Sequence, residues 1–396
     1  MRLEPVDGGD PRAVLRALRA AVLGAGPAVA LGGGVAAGEV GPGTSVVVTT
    51  SGSTGHPKSV VLSRSALTSS ALATADRIGS GAWLLALPAG YIAGVQVLVR
   101  ALVAGRDPAI LSGTFSPAAF AAAAGAMASS EGGTTVPTYT SLVPAQLQTL
   151  LDAEDAGIRT GLARFEAVLV GGQALAPALA ERADAAGVRV VRTYGSSETS
   201  GGCVYDGVPL AGVDVRIVNG EVQLAGPMLA DGYLGEPERT AAAFIRDEAE
   251  GRRWYATGDT GTFDGALRVT GRRDNVIVSG GINVSLDRVE RAVRAVPGLA
   301  GGVVVPVPDA RWGEGSVIVV ARGDLGGRDP EEVLRAARAA VDAEVGAPAR
   351  PRGILPVSEL PLLASGKPDR AALRALAVAS GARGDSDRGS YGRPIG

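Results

Sequence analysis

A chain of 396 residues with 38 Lys plus Arg against 40 Asp plus Glu has a formal net charge of -2, which gives no general reason to bind nucleic acid or an anionic membrane. A single cysteine, Cys203, excludes an internal disulfide, and a single histidine, His56, excludes the usual zinc ligand sets and, without a Gly-x-Ser-x-Gly elbow, disfavours a Ser-His-Asp triad. A hydrophobic share of 46% with 20% charged residues describes a folded protein with room for two domains, and no apolar run approaches the roughly 18 residues of a membrane span.

Taken in order, Asp10 and Pro11 read as N-cap and first helical position, and Val14, Leu15, Leu18 and Val22 recur at helical spacing. The acidic residues Glu4, Asp7 and Asp10 do not fit a signal peptide, so a cytoplasmic location is expected. A strand over 46–49 leads into a hydroxyl-rich loop, and an alanine-rich helix is predicted over 65–78. Strands over 83–87, 109–111, 134–136, 165–170 and 189–193 alternate with helices near Ile92, Pro117, Pro144 and Pro177. This alternation predicts an α/β fold with a helix-covered parallel sheet, whose ligands bind beyond the carboxyl ends of the strands. After Tyr194, short strands over 213–218 and 221–224 and an Asp264-Gly265 turn predict a small antiparallel, barrel-like annex. From Asp274 a new cycle begins, with strands over 276–278, 303–307 and 317–321 and helices over 285–296, 330–345 and from Asp369. The expected organisation is a large domain over 1–273, a small mobile α+β domain over 274–380 and a disordered tail over 381–396.

Residues 49–58, Thr-Thr-Ser-Gly-Ser-Thr-Gly-His-Pro-Lys, concentrate hydroxyls, glycines and one ammonium behind a β-branched run. On composition this is equally a phosphate-binding loop or a surface turn. Pro57 stands where a Walker A loop needs glycine, which disfavours a P-loop kinase. Of the 38 cationic residues only Lys58 and Lys367 are lysines, so a compact ammonium has been kept at two places in a chain that otherwise uses arginine.

Four further stretches accompany this loop: 168–175 (Val-Leu-Val-Gly-Gly-Gln-Ala-Leu), 194–199 (Tyr-Gly-Ser-Ser-Glu-Thr), 255–259 with 271–274 (Tyr-Ala-Thr-Gly-Asp and Gly-Arg-Arg-Asp), and 366–370 (Gly-Lys-Pro-Asp-Arg). In composition and order they resemble the motifs of the adenylate-forming superfamily of acyl-CoA synthetases, adenylation domains and luciferases. The stretches 87–98, 141–144 and 197–210 are similar to those of short actinobacterial o-succinylbenzoate-CoA ligases of menaquinone biosynthesis. The resemblance implies an ATP- and Mg²⁺-dependent ligase acting on a small carboxylic acid, with coenzyme A as co-substrate.

The resemblance also implies roles. Thr49, Thr50, Ser51, Gly52, Ser53, Thr54, Gly55 and Lys58 would hold the β- and γ-phosphates, and Glu198 would ligate magnesium. Gly171, Gly172 and Gln173 would lie beside the adenine together with Tyr194 and Gly195. Ser197 and Thr199 would reach the α-phosphate, Asp259 the ribose hydroxyls, and Arg272 the ribose or phosphate. Lys367 would join the substrate carboxylate to the α-phosphate, Asp274 would be the hinge, and Gly280 and Gly281 would admit the pantetheine arm. Tyr91, Ser141 and Gly201 would line the acid pocket. A bland reading remains beside each: Asp259 as a turn cap, Glu198 as a helix cap, Arg272 as a surface charge. The competing functional readings are another aryl- or acyl-CoA ligase, a free-standing adenylation enzyme and a non-catalytic nucleotide-binding regulator. A homodimer is the assembly expected.

Overall fold

The computed structural model describes residues 1–50, 57–127, 130–249, 251–310, 312–363 and 366–381. The expectations for Ser51, Gly52, Ser53, Thr54, Gly55 and His56, and for the tail beyond Gly381, fall outside these residues. The chain divides into two compact units. The first comprises Met1–Leu175, Leu179–Thr257 and Gly261–Val269; the second comprises Ala176–Ala178, Gly258–Thr260 and the chain from Thr270 onward.

Two large sheets, a two-stranded ribbon of Ser130–Glu131 with Thr134–Thr135, and most of a third large sheet make up the β-structure of the first unit among the described residues. In the first large sheet, the strands run in the order Gly232–Tyr233, Lys58–Ser63, Thr44–Thr50, Ala28–Leu31, Arg2–Pro5 and Gly38–Glu39. Ala28, Val29, Ala30 and Leu31 are all buried, as are Val46, Val47 and Val48, and the two strands pair in parallel through Val29↔Val46. Continuous apolar runs of this kind are what a strand covered on both faces requires.

The second sheet orders Val208–Pro209, Gly201–Tyr205, Val190–Ser196, Ala167–Val170, Thr138–Leu142, Ala82–Leu85 and Ala109–Ile110. Its last five strands are parallel, and Gly201–Tyr205 turns back antiparallel to Val190–Ser196. The third sheet is the annex, built from Asp214–Val218, Glu221–Ala225, Arg252–Phe263, Phe244–Asp247 and Leu267–Arg272. Its first hairpin closes on Asn219 and Gly220, both with positive φ, which is the two-residue turn that matches strand twist.

Several strands lie outside the sequence expectation, among them Arg2–Pro5, Ala28–Leu31, Gly201–Tyr205 and Gly353–Val357, and two departures have a clear local reason. The predicted strand over 134–136 is only the two-residue Thr134–Thr135, and the sheet strand is Thr138–Leu142. Its sequence, Thr-Tyr-Thr-Ser-Leu, looks too polar for a buried strand. The reason lies in its hydroxyls: Tyr139 OH donates to the Ile78 carbonyl at 2.9 Å and Thr140 Oγ1 to that of Leu84 at 3.0 Å. Bonded hydroxyls lose most of their burial penalty. The second departure is Lys58–Ser63, which runs antiparallel to Thr44–Thr50 before the helix Arg64–Ile78 begins at its Ser63 cap.

The second unit has a five-stranded sheet in which Gly313–Ala321 pairs with Val303–Asp309 antiparallel and with Gly353–Val357 in parallel. Alternate residues of these strands serve different cores. Val304, Ile318 and Val320 pack with the helices Leu286–Arg294 and Pro330–Glu344, whereas Val303, Val305, Val317 and Val319 pack with Leu373 and Ala377 of Arg370–Ala379. That two-residue period explains why the strands read as nearly unbroken valine and isoleucine. Leu373 is fully buried, so Leu373→Ala should cost about 2–5 kcal/mol, read as a lower denaturant midpoint at unchanged slope. Among the described residues no helix is long and apolar enough to cross a membrane.

Candidate active site

In the first unit, chemistry collects where two sheets meet a tight turn. Thr49 and Thr50 end one strand and Lys58 opens the next, in the register Thr49↔Ser59 and Thr50↔Lys58. Lys58 is therefore fixed by a strand ladder, a correction to its reading as part of the loop. From the other sheet, Val190–Ser196 delivers the three-residue 3-10 turn Ser197–Thr199. Gly195 is needed there because a Cβ would stand 2.1 Å from the Gly201 carbonyl oxygen.

The turn buries Glu198 to 2% exposure and pairs its Oε1 with Lys58 Nζ and with Tyr233 OH, the latter at 2.9 Å. Burial alone would raise the Glu198 carboxyl, but the Lys58 charge and hydrogen bond prevail and hold it below its ordinary value. The group is thus a buried carboxylate kept ionised by a specific cation. Burial, and next the charge of Glu198, push the Tyr233 phenol well up, so it remains a donor at neutral pH. Lys58 Nζ and the Arg239 guanidinium lie 5.2 and 5.3 Å from the centroid of the Tyr233 ring. Tyr233 and Arg239 escaped the sequence reading. The available signal was a tyrosine in Gly232-Tyr233-Leu234-Gly235, in a chain with only 7 tyrosines. Tyr233→Phe keeps the ring and removes the hydroxyl. It should destabilise the fold by about 1.5–3 kcal/mol, the worth of a hydrogen bond to a charged group, in urea unfolding.

The remaining expected residues of this unit differ in what they can offer. Thr199 is fully buried, and its hydroxyl accepts from the Ser196 amide at 2.8 Å and donates to the Gly201 carbonyl at 2.7 Å, so it shapes the turn from inside. Ser197 is 8% exposed, and Tyr194 packs against the core at its edge. Gly171 and Gly172 leave the buried strand Ala167–Val170, with Gln173 following and Gly172 at φ 82°. Among the described residues, Thr50 and Ser141 each carry a buried hydroxyl oxygen with no hydrogen-bond partner. Such orphans are rare in proteins and suit a site completed by a polar ligand. Tyr91 caps the helix Ile92–Val103, and Gly201 faces Gln96 and Ile92 of that helix.

The second unit holds its own cluster. Arg272 donates from Nη1 to Asp259 Oδ1 at 3.0 Å and from Nε and Nη2 to the two oxygens of Asp274 at 2.8 and 3.2 Å. Its amide donates to Asp287 Oδ2 at 2.7 Å, and Asn275 Nδ2 donates to Asp287 Oδ1 at 2.8 Å. Asp287, unremarked in the sequence, thereby holds the segment on which Asp274 sits. Gly280 has φ 59° and lies against Trp312, where a Cβ would come within 2.4 Å of the ring; Gly281 follows it. Lys367 is exposed, in a turn closed by Leu363 N to Lys367 O at 2.8 Å and Asp369 N to Pro361 O at 2.9 Å. Arg370, three residues on, is tied to buried Glu290 at 2.7 and 2.9 Å. Among the described residues no group of three or more His, Cys, Asp or Glu side chains could hold a metal by itself.

Residues 40–261 match the AMP-binding enzyme family, and residues 288–367 match the AMP-binding enzyme C-terminal domain. The chain belongs to the AMP-binding enzyme family. As a member of that family it is 40% identical over 338 residues to a Mycobacterium tuberculosis protein named "Probable 2-succinylbenzoate--CoA ligase", covering 83% of each chain. It is 33% identical over 288 residues to the 2-succinylbenzoate–CoA ligase of Escherichia coli K12, covering 68% of this chain and 57% of that one. An E. coli MenE variant solved with bound OSB-AMS superposes with a TM-score of 0.67 at 29% identity, over 88% of this chain and 72% of the other. The MenE structure so matched shares its mixed α/β build, and the chain is an enzyme of the AMP-binding family.

Proposed function

We propose that the protein is an ATP-dependent acid–thiol ligase that makes o-succinylbenzoyl-CoA, AMP and pyrophosphate from o-succinylbenzoate, ATP and CoA, in menaquinone biosynthesis. The observation that carries this reading is the 40% identity, sustained over 338 residues, to a protein named for that activity. The chemistry of the site is consistent with it. A carboxylate has a poor leaving group, and transfer of AMP onto it supplies a good one; that step brings carboxylate and triphosphate together, so cations are required.

In this reading Lys58 neutralises the β- and γ-phosphates next to Thr49 and Thr50. Ser197 reaches the α-phosphate while Thr199 holds the turn from beneath. Gly171, Gly172, Gln173 and Tyr194 flank the adenine, and Asp259 accepts from the ribose hydroxyls, with Arg272 fixing its orientation. The orphan hydroxyls of Thr50 and Ser141 fit polar partners on the substrates. Glu198 fits a magnesium site: it is a hard oxygen donor kept ionised in a buried setting, and this metal commonly takes one or two carboxylates plus substrate phosphates. Bound there, the ion would neutralise phosphate charge. Lys367 steadies the reacting carboxylate, Asp274 is the hinge, Gly280 and Gly281 admit the thiol arm of CoA, and Tyr91, Ser141 and Gly201 line the acid pocket. The reading extends to a cytoplasmic enzyme with a homodimer as the assembly to look for.

The test is pyrophosphate exchange across a panel of aryl and alkyl acids, followed by a choice of CoA or carrier protein as acceptor. Exchange should be greatest with o-succinylbenzoate and thioester should form only on CoA. Strong exchange with another acid would reassign the substrate, and ATP binding without exchange for any acid would favour a non-catalytic regulator.

A further inference from the structure

Three charged side chains of the described residues are buried: Arg100, Glu198 and Glu290. Glu198 is matched by Lys58, and Glu290 by Arg294 and Arg370. Arg100 has no acidic partner among the described residues. It is 6% exposed, its Nη2 donates to Tyr205 OH at 3.2 Å, and its Nε has no hydrogen-bond partner among the described residues. Tyr205 OH is in turn bonded to Thr74 Oγ1 at 2.9 Å, and the guanidinium carbon stands 5.2 Å from the centroid of the Trp83 ring.

Neither a phenol nor an indole face supplies a counter-charge. The carbonyl end of the helix Ile92–Val103, on whose last turn Arg100 sits, contributes only a partial one. A buried cation so placed is expensive unless something anionic completes it. The space for that completion is present. Arg100 lines a partly enclosed cavity of about 210 Å³, together with Trp83, Thr74, Ser80, Leu72 and Val103. The cavity opens at the C-terminal ends of Arg64–Ile78 and Ile92–Val103, roughly 12 Å along the second helix from Ile92, where the acid pocket is expected.

The walls select the ligand. A guanidinium fork matches the two oxygens of a carboxylate, the exposed hydroxyl of Ser80 can donate to it, and the alkyl groups of Leu72 and Val103 accept an apolar body. The negative helix carbonyl ends oppose every anion, and a phosphate dianion more than a singly charged carboxylate, for which the full charge of Arg100 is sufficient. We propose that this cavity is a second binding site, taking a small monocarboxylate with an apolar body whose head group pairs with Arg100. It is separate from the adenylation chemistry and does not depend on which acid the enzyme activates.

Sodium benzoate is the probe, titrated calorimetrically into the full chain with o-succinylbenzoate present in excess. A one-site isotherm is expected, weakened at least tenfold in Arg100→Met and in Ala75→Phe. Ala75 lines the same cavity, so its replacement by phenylalanine fills the space without touching the guanidinium, and it remains decisive if Arg100→Met does not fold. Inorganic phosphate should give no saturable heat. Unchanged benzoate affinity in Ala75→Phe, displacement of benzoate by o-succinylbenzoate, or equal binding of phosphate would each overturn the proposal. Loss of exchange with every acid would sink the ligase reading and leave this isotherm standing.

Discussion

Replacing Lys367 by alanine should abolish the first half-reaction and spare the second. Pyrophosphate exchange should fall by roughly a thousandfold, because one favourable unit charge at about 4 Å in an effective dielectric near 20 is worth on the order of 4 kcal/mol when it is felt only in the transition state. Thioester formation from preformed acyl-adenylate and CoA should stay within a few-fold of wild type. The Lys367 turn is stapled at its base by the Arg370–Glu290 pair, so the substitution changes a side chain on a supported loop and should leave the melting temperature alone. Equal loss in both half-reactions would mean that Lys367 acts in both steps, contrary to the assignment made here.

The second large effect belongs to Glu198. Truncating it to alanine strands Lys58 and the Tyr233 hydroxyl at a buried position, and removing one partner of such a pair costs about 3–5 kcal/mol. Denaturant unfolding at pH 7 should show that loss, and exchange activity should fall at least about a hundredfold with the charge gone. Glu198→Gln, which keeps an acceptor, should lose activity as severely and stability less. The pH dependence follows from the sign of the shift. The native carboxyl is held below its ordinary value of 4.5, so its contribution is complete above about that pH and is lost as pH falls through the depressed native value. The acid limb of the wild-type stability curve should therefore be steeper than that of Glu198→Gln. Parallel acid limbs would show that the pairing with Lys58 carries no net stability.

Much of the fold was legible because the chain obeys strict periods. Apart from Thr138–Leu142, the parallel strands of the second sheet, like the valine-rich strands Val303–Asp309 and Gly313–Ala321, are bounded by turns and read directly as buried β-structure; Ile92–Val103 announces itself by spacing and Pro330–Glu344 also by its Asp329 cap. Two of the failures have separate physical causes. Thr138–Leu142 was missed because hydroxyls that hydrogen-bond to neighbouring carbonyls behave as buried groups while counting as polar in any pattern. Lys58–Ser63 was missed because a lysine at the start of a strand looks like the end of a loop. Within the site, the motifs located Glu198 and Lys58 but gave no sign that they bond to one another or share Tyr233. That contact joins residues 140 positions apart, and no local spacing encodes it.

The alternating allegiance of the valine strands in the second unit has a consequence for how the chain comes to be folded. Because Val304, Ile318 and Val320 face one set of helices while Val303, Val305, Val317 and Val319 face Leu373 and Ala377, this stretch of polypeptide encloses two cores of its own. It needs no borrowed apolar surface to be stable. A calorimetric scan of the full chain should then resolve two endotherms rather than one, and Leu373→Ala should move only the one that belongs to the second unit. A ribosome releasing the chain would complete the larger unit first and append a self-sufficient module, so that damage to either during synthesis need not propagate to the other.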